Sequence, residues 1–234
     1  MGKRIIPRAR GKGGPRYVSP SHRFMGRVEY LPLETIIGHV KDIVHDPGRS
    51  APVAIVNFDN GKKLLHIVPE GLKVGDMIVY GGEPTLGNVL QIGKIPDGTK
   101  IFCVETYPSS GPKMCRSSGV FATVVGKREG VVTVEFPSGK MKDLNEKCRA
   151  SIGVPAAGGR ADKPWVKAGK KTHAMLARGR LYPRSKGVSM TATDHPYGGR
   201  QKRPRPSKSV SRNAPPGAKV GSISSRRTGK RKGK

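Results

Sequence analysis

The chain has 234 residues, with 45 Lys and Arg against 16 Asp and Glu, a formal net charge of +29, and three cysteines. It opens with charge, and Ile5 and Ile6 form a short apolar run before Pro7; with no run near eighteen apolar residues, neither a secretory signal nor a transmembrane helix is expected, and a cytoplasmic location follows. An odd cysteine count argues for reduced thiols rather than a disulfide framework.

Charge divides the chain into three. Residues 1–33 carry 8 Lys and Arg against 1 acid, residues 34–159 carry 15 against 13, and residues 160–234 carry 22 against 2. Two polycations flank a nearly neutral middle, and polycations repel themselves and bury too little apolar surface to fold alone. They call for a polyanion. Lys and Arg neutralise phosphates and release counterions, so nucleic acid is the first candidate partner. No membrane partner is expected, because the ends lack the Leu, Phe and Trp face of an interfacial helix.

In chain order, residues 1–33 read as a basic N-terminal extension. Its Arg8-Ala9-Arg10-Gly11-Lys12-Gly13-Gly14 run reads as flexible basic coil, in which glycines let the backbone approach phosphates. It lacks the four-residue spacing before Gly-Lys-Ser/Thr of a P-loop. From residue 34 the pattern is β. Ile36 to Val44 is a β-branched run, and Ala54 to Phe58 and Lys62 to Val68 flank Asp59-Asn60-Gly61, a strong hairpin signal. Met77 to Tyr80, Val89 to Ile92 and Ile101 to Thr106 add three more candidates. A Greek-key barrel of the oligonucleotide-binding (OB) type over residues 34–107 fits them.

A second unit is expected over residues 108–159. Gly119 to Val125, a turn at Gly126 to Gly130, Val131 to Phe136, Met141 to Leu144 and Cys148 to Ile152 are short strands with tight Gly and Pro turns, which suggests an SH3-like barrel. The fold class is therefore all-β, an OB barrel followed by an SH3-like barrel, with long irregular basic extensions. In the C-terminal extension, residues 160–234, Lys163 to Arg178 can form one short basic helix. Beyond it, Pro183, Pro196, Pro204, Pro206, Pro215 and Pro216 forbid regular helix. Residues 200–234 extended at about 3.3 Å each reach roughly 115 Å, enough to penetrate a large RNA.

Ser185-Lys186-Gly187-Val188-Ser189-Met190 followed by Thr193-Asp194-His195-Pro196-Tyr197-Gly198-Gly199 resembles the signature loop of the universal large-subunit ribosomal protein family called L-two. Ser209 to Gly221, Arg226-Arg227-Thr228-Gly229 and Lys163 to Gly169 resemble its archaeal branch, and Arg116-Ser117-Ser118-Gly119 and Cys148 to Gly153 also fit the family pattern. The resemblance implies a structural, RNA-binding role in the large subunit, early in its assembly. It also implies a loop placed toward the peptidyl-transferase region, and partners among the large-subunit RNA, neighbouring large-subunit proteins and the small subunit at the interface. One departure stands in the loop: Thr191-Ala192 occupies the place where the family usually has Asn and then a small residue or Pro, while Tyr197 stands where other branches use His or Phe.

RNA-binding candidates follow from charge and from that resemblance. In the N-terminal extension they are Arg8, Arg10 and Lys12, and in the barrels Arg116, Lys127, Arg128 and Arg149. In the C-terminal extension they are Arg178, Arg180, Arg184, Lys186, Arg200 and Arg212, with Asp194, His195, Tyr197, Gly198 and Gly199 of the loop. Aromatic residues are 5% of the chain, so charge rather than base stacking must dominate affinity. Asp194-His195 suggests general-base chemistry, but adjacent residues in a Pro-Gly loop point apart, with no nucleophile on a rigid element nearby. No enzymatic activity is expected. Cys103, Cys115 and Cys148 lie 12 and 33 residues apart, without the close pairing of structural zinc ligands. No metal site or cofactor is expected, and Mg²⁺ bridging to RNA stays open. The rival reading is a DNA-compacting, chromatin-like protein, which such composition also allows but which usually repeats a module or presents a groove-entering helix.

Overall fold

The computed structural model describes residues 4–32, 35–199, 209–215 and 219–224. Two compact units emerge, one from Pro20–Val166 and one combining Met1–Ser19 with Lys167–Lys234.

Pro20–Val166 is the all-β unit. Its first sheet holds β1 (Ile37–Val44), β2 (Val53–Phe58), β3 (Lys63–Ile67) and β4 (Met77–Val79) in the order β3-β2-β1-β4, all antiparallel. The β2–β3 hairpin turns at Asp59-Asn60-Gly61, where Gly61 has φ 76°, as that tripeptide dictates. Val40, Ala54, Val56, Phe58, Val68, Ile78 and Tyr80 form the core of this OB-like part, closed by Leu31 and Val89. Each fully buried aliphatic side chain of this kind contributes about 1.5–3 kcal/mol.

The second sheet holds β5 (Val89–Gln91), β6 (Lys100–Phe102), β7 (Ala122–Arg128), β8 (Val131–Glu135), β9 (Met141–Asn145) and β10 (Arg149–Ile152), in the order β5-β10-β6-β7-β8-β9. This is the SH3-like part. The sequence pattern places Val89 to Ile92 and Ile101 to Thr106 in the first barrel, but β5 and β6 both pair with β10, which lies between them. Local pattern cannot reveal a partner some 60 residues away. A link to the first sheet remains in the parallel bridge Tyr80–Val89. β6 also stops at Phe102, because Cys103 takes φ 52° before Val104 bridges Met114. Gly126, expected in a turn, lies within β7 at a bulge between Val124 and Gly126, and the chain turns at Glu129-Gly130 instead.

An ionic hub ties the sheets together. The Arg149 Nη2 donates to Glu105 Oε1 at 2.9 Å, and Glu105 also accepts backbone N–H groups from Arg149 at 2.9 Å, Gly111 at 2.9 Å and Ser109 at 3.3 Å. Arg149 Nη1 donates to the Leu31 carbonyl, and its guanidinium lies 5.3 Å from the Tyr30 ring centroid. Tyr30 in turn donates to the Cys103 carbonyl at 2.9 Å and meets Ser151 Oγ at 2.8 Å. Cys103, Cys115 and Cys148 are free thiols. Burial raises Cys103 to about 12 and Cys115 to about 11, so both stay protonated at neutral pH.

His66 makes the stability of this unit depend on pH. Its ring is buried among Tyr30, Phe58 and Tyr80, with centroids 5.8–6.1 Å away, and its Nε2 lies 2.8 Å from the Tyr80 hydroxyl. Burial lowers its pKa from 6.5 to about 4. Between those values the unfolded chain binds the proton and the folded one does not. His66 therefore leaves stability untouched above pH 6.5 and removes roughly 3 kcal/mol as pH falls through 4. Urea titrations from pH 7.5 to 4 should show this fall, and His66→Phe should flatten it although it also loses the Tyr80 contact. An unchanged slope in the variant would assign the pH dependence to other groups.

The second unit is less regular, yet not wholly so. Residues Arg8 to Gly11, expected as flexible coil, are part of the helix α1 (Ile6–Gly11). Pro7 supplies a preset φ in the first turn and costs no hydrogen bond there, and the glycines at 13 and 14 follow the helix end. α2 (Ala168–Leu176) falls inside the expected basic helix. A short parallel pair, β11 (Ser209–Val210) and β12 (Ser222–Ile223), adds a further regular element to the C-terminal extension.

Candidate nucleic-acid interface

On the β unit, Lys127 and Arg128 stand exposed at the end of β7, beside its hairpin turn. Arg116 is half-buried on a groove of about 490 Å³, shared with Arg27, Lys113 and Glu29. Arg27 and Lys113 were not among the sequence candidates. Charge counting passes over them because each comes singly, and only folding brings residues 27–29 and 110–116 together. Arg149 must be removed from the phosphate contacts. Its side chain is 6% exposed and engaged by Glu105, so it holds the core together and has no face to offer a nucleic acid.

In the unit formed by the two ends, Arg8, Arg10 and Lys12 are exposed on or just after α1, and Arg178, Arg180, Arg184, Lys186 and Arg212 are exposed as well. Arg200 lies outside the described residues. Over its whole sequence this unit carries 26 Lys and Arg against the single Asp194. Such density attracts phosphate and little else of comparable abundance.

The loop from 187 to 199 is built by its own backbone. The Thr191 carbonyl accepts from the N–H groups of Asp194 at 3.1 Å and His195 at 3.2 Å, Gly198 N–H donates to the His195 carbonyl at 2.9 Å, and Gly199 N–H to Met190 at 3.2 Å. Thr191 thus organises the turn through its main-chain carbonyl, which calls for no particular side chain at that position. At Gly198 a Cβ would overlap the carbonyls of Met190 and Thr191, and at Gly187 it would overlap the His195 ring. Only glycine fits either place.

His195 is held on two sides. Gly187 lies against its ring, and Tyr197 packs 5.0 Å away between centroids at 53°. The Tyr197 N–H donates to His195 Nδ1 at 3.0 Å, and the Tyr197 hydroxyl donates to the Val220 carbonyl at 2.9 Å. With Nδ1 accepting, the neutral imidazole carries its proton on Nε2. The ring then offers one N–H donor. Nδ1 is also the atom a carboxylate would hold to orient a general base, and Tyr197 occupies it, so Asp194 and His195 do not form that relay.

Comparison with protein families matches residues 23–80 to the RNA binding N-terminal domain of Ribosomal Proteins L2, and residues 85–220 to the C-terminal domain of the same family. The chain belongs to the ribosomal protein L2 family. The two L2 matches meet between β4 and β5, where the strand pairing also passes from the first sheet to the second. The chain is 49% identical to the large ribosomal subunit protein uL2 of Methanococcus vannielii over 241 residues, covering 99% of this chain and all of the relative. With the uL2 proteins of Methanococcus aeolicus and Methanothermobacter thermautotrophicus it shares 48% over equal coverage. These L2 relatives are archaeal, in agreement with the branch that the C-terminal motifs resemble.

Proposed function

We propose that the chain is a structural constituent of the large ribosomal subunit that binds ribosomal RNA through the exposed cations of its two ends and of the β7 hairpin. One observation carries this reading: a chain with full-length L2 similarity gathers 26 cations against one acid in the sequence of its two ends. The barrels act as the folded anchor, and the loop at 187–199 lies toward the peptidyl-transferase region, near the small subunit and neighbouring large-subunit proteins. Within that loop His195 contacts RNA through Nε2–H, and Gly198 and Gly199 allow close passage of the backbone. For the domain division we read a compact β unit at 20–166 between the basic ends, with its two sheets meeting between β4 and β5, in place of limits at 33, 107 and 159. The protein works in the cytoplasmic ribosome and has no catalytic activity of its own.

Native protein should sediment with large ribosomal subunits and be released by RNase but not by DNase. Release by DNase alone would favour the DNA-compacting alternative. His195→Ala should leave the fold of residues 20–166 and the bulk of RNA affinity intact, since it removes one contact among many. Its effect should appear in reconstituted particles as slower peptide-bond formation or weaker subunit joining. Particles indistinguishable from wild type in both would remove His195 from any functional role.

A further inference from the structure

We infer that the two basic ends act as one composite RNA-binding surface, assembled where residues 17–19 dock on Gly179, and not as two independent arms. This rests on the RNA-binding reading above.

The junction is a backbone contact. Gly179 N–H donates to the Leu176 carbonyl and Arg180 N–H to the Met175 carbonyl, each at 2.9 Å, so Gly179, at φ 61°, forms the left-handed C-terminal cap of α2. A helix end needs only the φ from such a glycine. Here it is also buried, and a Cβ would stand 2.8 Å from Ser19 N, 2.9 Å from the Tyr17 carbonyl oxygen and 2.9 Å from Val18 C. The absent side chain is therefore used twice, once for the cap and once to admit the N-terminal extension.

Charge makes this docking conditional. Arg16 leads directly into the docked residues, and Arg178 and Arg180 flank Gly179, all three exposed. Cations brought within a Debye length of about 8–10 Å repel in the free chain. Phosphates packed close together relieve that repulsion, and a ligand that binds the docked form better shifts the ends toward it. A folded RNA, which presents several strands at once, supplies such phosphates.

The test uses the full chain, its transcribed large-subunit RNA, and affinity measured across monovalent salt. Gly179→Val removes no charge, yet it should reduce the log–log salt slope by up to about 5, the share of the six cations in residues 1–19 at roughly 0.7–0.9 per phosphate. Deleting residues 1–19 should reduce it equally, and the combination should go no further. In the RNA complex, trypsin should spare Arg16 in wild type and cut it in Gly179→Val. Amide spectra of residues 20–166, together with the milder Gly179→Ala, separate undocking from general misfolding. A Gly179→Val chain with wild-type slope and trypsin protection overturns the composite surface, as do effects of substitution and deletion that add. Wild-type chain that binds this RNA without salt dependence overturns instead the reading beneath it.

Discussion

Glu105→Ala should cost about 3–5 kcal/mol and bring residues 20–166 close to unfolding, the largest effect expected of any single substitution in the β unit. The carboxylate is fully buried and is the counterion of Arg149. Its removal strands a guanidinium between the sheets and leaves the N–H groups of Gly111, Ser109 and Arg149 without their acceptor. Glu105→Gln should cost less, because it keeps an oxygen for some of those donors while losing the charge. Replacing both members, Glu105→Leu with Arg149→Met, should recover much of the loss, since the desolvation of two ions then disappears with them. Equilibrium unfolding in urea measures all three. A Glu105→Ala cost near that of a surface substitution, within about 0.5 kcal/mol, would mean that the hub is not structural.

The second large effect is on affinity. Removing residues 1–19 and 167–234 should leave a β-rich fragment that folds, because Pro20–Val166 holds the apolar cores of both sheets and carries 19 Lys and Arg against 15 acids. Its RNA affinity should respond weakly to salt. The full chain, engaging on the order of six to ten phosphates through its ends, should lose about 10³–10⁵ in affinity between roughly 50 and 200 mM salt. Equal slopes for the two would place the main electrostatic contact on the barrels, at Lys127, Arg128 and the Arg116 groove.

The contrast between these predictions shows which features sequence can reveal. The Asn60-Gly61 hairpin, the short strand at Val131 to Phe136, and the charge of the ends were readable because each depends on residues adjacent in the chain. Arg149 was misread for the opposite reason: its partner Glu105 lies 44 residues away, and an arginine in a basic protein carries no local sign of burial. The destination of β5 and β6 was hidden in the same way by β10. In the signature loop, motif resemblance picked out His195 and Gly198, but the Tyr197–Val220 tether and the Nδ1 contact are properties of folded geometry. The docking of the ends was hidden most deeply, because Gly179 reads in sequence as an ordinary helix stop.

The position of β10 between β5 and β6 also sets a timetable for synthesis. When Val89–Gln91 and Lys100–Phe102 are made, the strand that will pair with both does not yet exist. At about 5–20 residues per second, the roughly 60 residues separating β5 from β10 take about 3–12 s to appear. The first sheet is complete in sequence by Val79 and can form during that interval. β5 and β6 meanwhile present bare edges, with Leu90, Ile101 and Phe102 uncovered. Arrival of Arg149–Ile152 closes that window, and the same four residues deliver the guanidinium that Glu105 has been waiting for. The nascent chain is thus most open to wrong pairing just before its last barrel strand emerges, and a pause in translation placed upstream of codon 149 would prolong that exposure.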